Sequence, residues 1–113
     1  MIVVPEICAT ERIGRSVRFQ LKIPANLPYF QGHFEQCRLL PGVVQIGWAI
    51  ELGRKYLSFA GTFSALSAVK FTRVIQPDDV IMLELEYSSE KRQLDFAYDL
   101  DGRACSSGSV LFD

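Results

Sequence analysis

Apolar and polar residues alternate from Val17 to Ile23: Val17, Phe19, Leu21 and Ile23 share one parity, and Arg18, Gln20 and Lys22 the other. A period of two is that of a strand with one buried face. An earlier strand is expected over residues 3–9. Pro24, Asn26 and Pro28 then break the ladder and open a long connection that runs to Pro41. After Pro41-Gly42 the pattern changes. Val43, Val44, Ile46, Trp48, Ala49, Ile50, Leu52, Tyr56 and Leu57 predict a helix over 43–59, apolar nearly all round for its first three turns and therefore buried. Beyond Gly61 every segment reads as strand, over 63–72, 80–88, 93–100 and 103–112. Turn chemistry divides them: Gln76-Pro77-Asp78-Asp79, the polar stretch 88–92, and Asp101-Gly102, a two-residue hairpin signal.

Two strands, one helix and four strands make an α+β chain, and a helix apolar on most sides is satisfied if one antiparallel sheet curls around it. The length of 113 residues fits a single domain over 1–113 whose burial a partner subunit would extend. A net charge of -1 provides no general attraction to nucleic acid or anionic lipid, so neither is expected as a partner. The first residues lack a basic segment ahead of an apolar core, and no stretch approaches the roughly 20 apolar residues of a membrane helix, which predicts a cytoplasmic protein without membrane insertion. Cys8, Cys37 and Cys105 are odd in number and scattered, without metal spacing, so they are expected to be buried or incidental thiols, with no metal site.

Candidate chemistry gathers in the connection before the helix. Phe30-Gln31-Gly32-His33-Phe34 holds the only histidine, and Pro41-Gly42 follows it eight residues later. An imidazole near neutral pKa beside a helix N-terminus joins a base to a set of unpaired backbone N–H donors, a combination suited to chemistry at a carbonyl.

Gly32-His33-Phe34, Leu40-Pro41-Gly42-Val43, the apolar helix and the run from Val69-Lys70-Phe71 to Gln76-Pro77-Asp78-Asp79 together resemble the 3-hydroxyacyl-acyl-carrier-protein dehydratases of the hot-dog fold, from Ser16 onward. The run 41–49 further resembles the branch associated with aryl polyene biosynthesis. The resemblance implies an antiparallel sheet wrapped around one long central helix, pairing of two such domains as a homodimer or heterodimer, and active sites at their interface. It implies an acyl carrier protein bearing the substrate and no cofactor. His33 would remove the C2 proton of a (3R)-3-hydroxyacyl thioester, an acid on the partner's central helix would protonate the departing hydroxyl, and the trans-2-enoyl thioester would result, in fatty acid or polyene-type biosynthesis. The Gly42 N–H would stabilise the charge on the thioester oxygen, and Phe34, Val43 and Gly47 would line the substrate.

One position departs from the family pattern. The catalytic Glu or Asp expected fourteen residues after the histidine is Gly47. One turn further stands Glu51, on the same helix face, where an absent side chain at 47 leaves room for a relocated acid. The alternative for Glu51 is a surface pair with Arg54 or Lys55, worth at most about 1 kcal/mol. Glu35, two residues from His33, is a second candidate carboxylate or a solvated loop charge. Lys70, Arg73, Arg54, Lys55 and Arg38 are possible contacts for an acidic carrier. Three functions follow: a dehydratase, a non-catalytic dehydratase-like subunit of a heterodimer, which Gly47 favours, and a hot-dog acyl thioesterase.

Overall fold

A computed structural model describes residues 5–27 and 39–113. The elements run β1 (Glu6–Ile13), β2 (Ser16–Lys22), α1 (Gly42–Leu57), β3 (Phe63–Phe71), β4 (Val80–Ser88), β5 (Gln93–Leu100) and β6 (Arg103–Phe112). The six strands form one antiparallel sheet in the order β1-β2-β4-β5-β6-β3.

Alternation decides which face meets the helix. Val17, Phe19 and Leu21 of β2 are fully buried, as are Ile81, Leu83 and Leu85 of β4, while Arg18 and Glu84 pair on the opposite face, both partly exposed. One inward row crosses the sheet through Phe19, Leu83, Tyr98, Ser106 and Phe71, each paired in register with the next. The helix rests Val44, Gln45, Trp48, Ala49, Leu52 and Gly53 on this inner face. Burying such large apolar side chains stabilises by about 1.5–3 kcal/mol each, which is why the sheet and helix need one another.

The turns have the expected chemistry. Asp101 and Gly102 both take positive φ, 51° and 78°, as a two-residue type I′ hairpin requires. In the Pro77 turn, the Asp79 carboxylate accepts from the Gln76 N–H at 2.7 Å and the Asp79 N–H donates to the Gln76 carbonyl at 3.2 Å. Two features differ from the sequence expectation. The first strand lies at Glu6–Ile13, later than the expected 3–9, of which residues 3 and 4 lie outside the described set; it turns into β2 at Gly14, where φ is 60°. The helix, expected to be buried, is fully buried only on the side that meets the sheet: Ile46, Gly47 and Ile50 are half-buried, Glu51 is exposed and Val43 is 76% exposed.

Candidate active site

The helix begins on bare backbone. Pro41, extended at φ -60° and ψ 146°, precedes Gly42 and offers no side-chain cap, and the first turn has no acidic residue. The Pro41 carbonyl accepts from the N–H of Val44 at 3.1 Å and of Gln45 at 3.2 Å. Among the described residues none accepts from the N–H of Gly42 or Val43. Both lie at the positive end of the helix dipole, where the first N–H groups have no acceptor within the helix.

The inward row of the sheet places this helix start. Tyr98 donates its hydroxyl to the Gln45 carbonyl at 2.7 Å, and Ser106, its neighbour on β6, donates to Gln45 Oε1 at 2.6 Å. Phe71, next in the row, lies against Gly42: a Cβ on Gly42 would be 2.5 Å from Phe71 Cζ, so only glycine admits the ring where it stands. The chain beyond β3 is held by Cys105, whose carbonyl accepts from the N–H of Thr72 at 2.8 Å and of Arg73 at 3.1 Å. From the other side, the Leu40 N–H donates to the Ile75 carbonyl at 2.7 Å. Between these two tethered segments opens a cleft of about 280 Å³, lined by Leu39, Leu40, Gly42, Gln45, Phe71, Thr72, Arg73 and Val74. Its walls are mainly apolar and carry no carboxylate among the described residues.

Gly42 stands at the helix start, as the sequence predicts, and it lines the cleft. Val43 follows it, exposed. Gly47 and Glu51 continue the same side of the helix by successive steps of four, away from the sheet, and neither lines the cleft. At 1.5 Å per residue Glu51 sits about 13 Å along the axis from Gly42. Nor does Glu51 pair with the cations beside it: Arg54 donates to the Gly61 carbonyl at 2.8 Å and lies over the Phe112 ring, while the Lys55 ammonium lies over the Tyr56 ring. His33, Phe34, Glu35, Cys37 and Arg38 lie outside the described residues. Cys105 is a free buried thiol, which burial pushes up in pKa, and Cys8 is free and exposed. Among the described residues no cluster of His, Cys, Asp or Glu is arranged to hold a metal, and no helix is long and apolar enough to cross a membrane.

Gln45 and Phe71 were not anticipated as parts of this site. A polar residue within an otherwise apolar helical run was the available signal for Gln45, since a buried amide needs partners. Phe71 is brought to Gly42 only by the sheet order.

A single antiparallel sheet wrapped on one central helix, with a cleft at the helix N-terminus, defines a hot-dog protein. The chain belongs to the ApeI-like family, described as ApeI dehydratase, whose model matches residues 9–109. It is 29% identical over 109 residues to the 3-hydroxyacyl-[acyl-carrier-protein] dehydratase FabZ of Ruminiclostridium cellulolyticum, spanning 88% of this chain and 77% of that protein. Among solved structures, the dehydratase heterocomplex ApeI:P from Xenorhabdus doucetiae superposes with a TM-score of 0.88 at 32% identity, covering 96% of this chain and 97% of the other. An uncharacterised protein from Erwinia carotovora subsp. atroseptica superposes with a TM-score of 0.85 at 28% identity, covering 98% and 97%.

Proposed function

We propose that this chain forms one half of a hot-dog dehydratase that converts a (3R)-3-hydroxyacyl thioester on acyl carrier protein to the trans-2-enoyl thioester. The observation that carries the reading is an apolar cleft lined at the helix start by Gly42, whose N–H, like that of Val43 beside it, has no acceptor among the described residues. A thioester carbonyl accepting these donors acidifies its own C2–H, because the charge that develops on oxygen is met by the helix N-terminus. His33, as base, takes the C2 proton; the C2–C3 double bond forms as the C3–O bond breaks; an acid supplies a proton to the departing hydroxyl, which leaves as water.

The acid is the open role. Helical side chains lean toward the N-terminus, so that of Glu51 covers the turn holding Gly47, where no side chain obstructs it. That side of the helix is only partly covered in one chain, which suits a site completed by a second hot-dog chain. So does β3, an edge strand with Phe63, Leu66 and Phe71 exposed at 47%, 43% and 52%. Gly47, and the likeness to a heterocomplex, favour a second reading in which this chain supports a partner that carries the full set of catalytic groups.

The test is turnover of a carrier-bound 3-hydroxyacyl thioester by the chain alone and by the chain mixed with a hot-dog partner, for the parent and for His33→Ala. Water loss with the thioester retained, abolished by His33→Ala in a folded dimer, is the expected result. Activity surviving His33→Ala in the mixed complex would assign the chemistry to the partner. Release of free thiol would mark a thioesterase.

A further inference from the structure

Gln45 and Ser106 are the buried polar residues among those described, at 3% and 2% exposure. An amide taken from water without partners costs about 1–3 kcal/mol, so its bonds determine whether it is tolerated. All are made. Gln45 Nε2 donates to the Leu40 carbonyl at 3.0 Å, and Oε1 accepts from Ser106 Oγ at 2.6 Å. The Leu40 carbonyl can only accept, which fixes the orientation of the amide. The main-chain carbonyl of the same residue accepts from the Tyr98 hydroxyl at 2.7 Å. One residue thus ties β5, β6, the first turn of α1 and the segment entering Pro41-Gly42. A leucine would fill comparable volume and keep the main-chain bond without needing either side-chain bond.

We propose that Gln45 is a positioning residue: by holding the Leu40 carbonyl from inside, it fixes the entry of Pro41-Gly42 into the helix and thereby the position of the Gly42 N–H at the cleft that Gly42 lines. Its consequence for turnover rests on the dehydratase reading; the clamp itself does not. Small misalignments of donors facing a reacting carbonyl are costly, on the order of 10²-fold for 1 Å, so this role appears in kcat more than in KM.

The experiment measures hydrogen exchange of residues 40–46 and steady-state kinetics on a carrier-bound 3-hydroxyacyl thioester. It uses the full chain with any hot-dog partner it needs, and compares the parent with Gln45→Leu, Gln45→Glu and Ser106→Ala. In Gln45→Leu the backbone amides of this segment should exchange about tenfold faster, the effect of losing the two buried side-chain bonds, with β1 and β2 unchanged. Its kcat should fall about 10- to 100-fold with KM nearly constant. In Gln45→Glu the ionised carboxylate opposes the Leu40 carbonyl, whereas the protonated acid donates to it, so protection and relative turnover should recover as pH falls. Should Gln45→Leu fail to fold, Ser106→Ala, which deletes one hydroxyl, supports the same comparison with a smaller change. Parental exchange at residues 40–46 would overturn the clamp, and faster exchange with parental kcat would overturn the positioning role. A parent without turnover in any pairing overturns the dehydratase reading and this role with it; the exchange data, which need no substrate, tell that failure from a failed clamp.

Discussion

The tip of the Phe71 ring occupies the space that a side chain at Gly42 would need: a Cβ there would lie 2.5 Å from Cζ and 2.8 Å from Cε1 of the ring. The contact joins the end of an edge strand to the start of the central helix, so the donors at the helix start and the wall of the cleft form one unit. Because Phe71 is half-exposed, its ring can turn outward when pushed. Gly42→Ala should therefore fold, with the helix propensity gained by alanine, up to about 1 kcal/mol, offsetting the displaced ring. Turnover should nonetheless fall by about 10²-fold, as for loss of an oxyanion donor. Thermal unfolding and kcat measured together check this, and a large loss of stability with unchanged kcat would contradict it.

Gly108 presents the opposite case, a glycine whose neighbour cannot move away. Ala68 takes φ 54° at a bulge in β3, and Val69 packs over Gly108, so that a Cβ on Gly108 would lie 2.8 Å from Val69 Cγ2, 3.1 Å from Val69 Cα and 3.1 Å from Phe96 Cε2. Two of these atoms belong to packed side chains and one to backbone. Gly108→Ala should destabilise by about 1–3 kcal/mol, the usual range for overpacking, and should loosen β3 from β6. Denaturant unfolding gives the magnitude, and amide exchange along residues 63–71 shows whether the edge strand is where the loss falls.

Tyr98 sets an alkaline limit. It is 1% exposed, and burial holds its phenol well above the ordinary tyrosine range. The folded value is the higher one, so the stabilisation is fully present below the unfolded tyrosine pKa and is lost as pH rises through the folded value. Its phenolate should appear only as the fold opens, in a step that Tyr98→Phe removes. At neutral pH that variant, lacking the bond to the Gln45 carbonyl, should be less stable by about 1 kcal/mol. A Tyr98 that ionises in the ordinary tyrosine range with the fold intact would contradict the burial argument.

Strands β4, β5 and β6 were legible to the residue because alternation and turn chemistry agree there: Pro77-Asp78 opens the run and Asp101-Gly102 divides it. The first strand was not. Seven of its eight residues are exposed, so pairing with β2 rather than a buried face sets its bounds, and no period marks them. The helix was legible as an element, but its apolar circumference suggested full burial, whereas the chain fully buries only the side that meets the sheet and leaves Gly47 half-buried and Val43 and Glu51 exposed. The pattern reports what the assembled protein would bury, which is more than one chain's sheet can reach. In the site, Pro41-Gly42 announced the helix start. Gln45 drew no attention, one amide in an apolar helical run, and Phe71 lies 29 positions from Gly42, brought there by strand order alone. The histidine motif was legible as chemistry, yet it falls among residues outside the described set.

The role of Glu51 can be decided from position 47. If Glu51 is the acid, Glu51→Gln should lower turnover by about 10²- to 10⁴-fold, the range for losing a general acid, with the folded assembly and substrate binding preserved. The relocated acid also needs the space above Gly47. Gly47→Ala should then stabilise the helix, by up to about 1 kcal/mol, and still lower turnover, because the added methyl obstructs the carboxylate. Faster turnover in Gly47→Ala would show that the vacant position serves no catalytic purpose. Gly47→Asp places a carboxylate where the resemblance to the dehydratases implies one. Dehydration gained by an otherwise inactive parent would identify this chain as a subunit that lost its acid and supports another. An active parent insensitive to Glu51→Gln would refute the relocated acid, leaving Glu35 or a carboxylate of the partner chain as the proton donor.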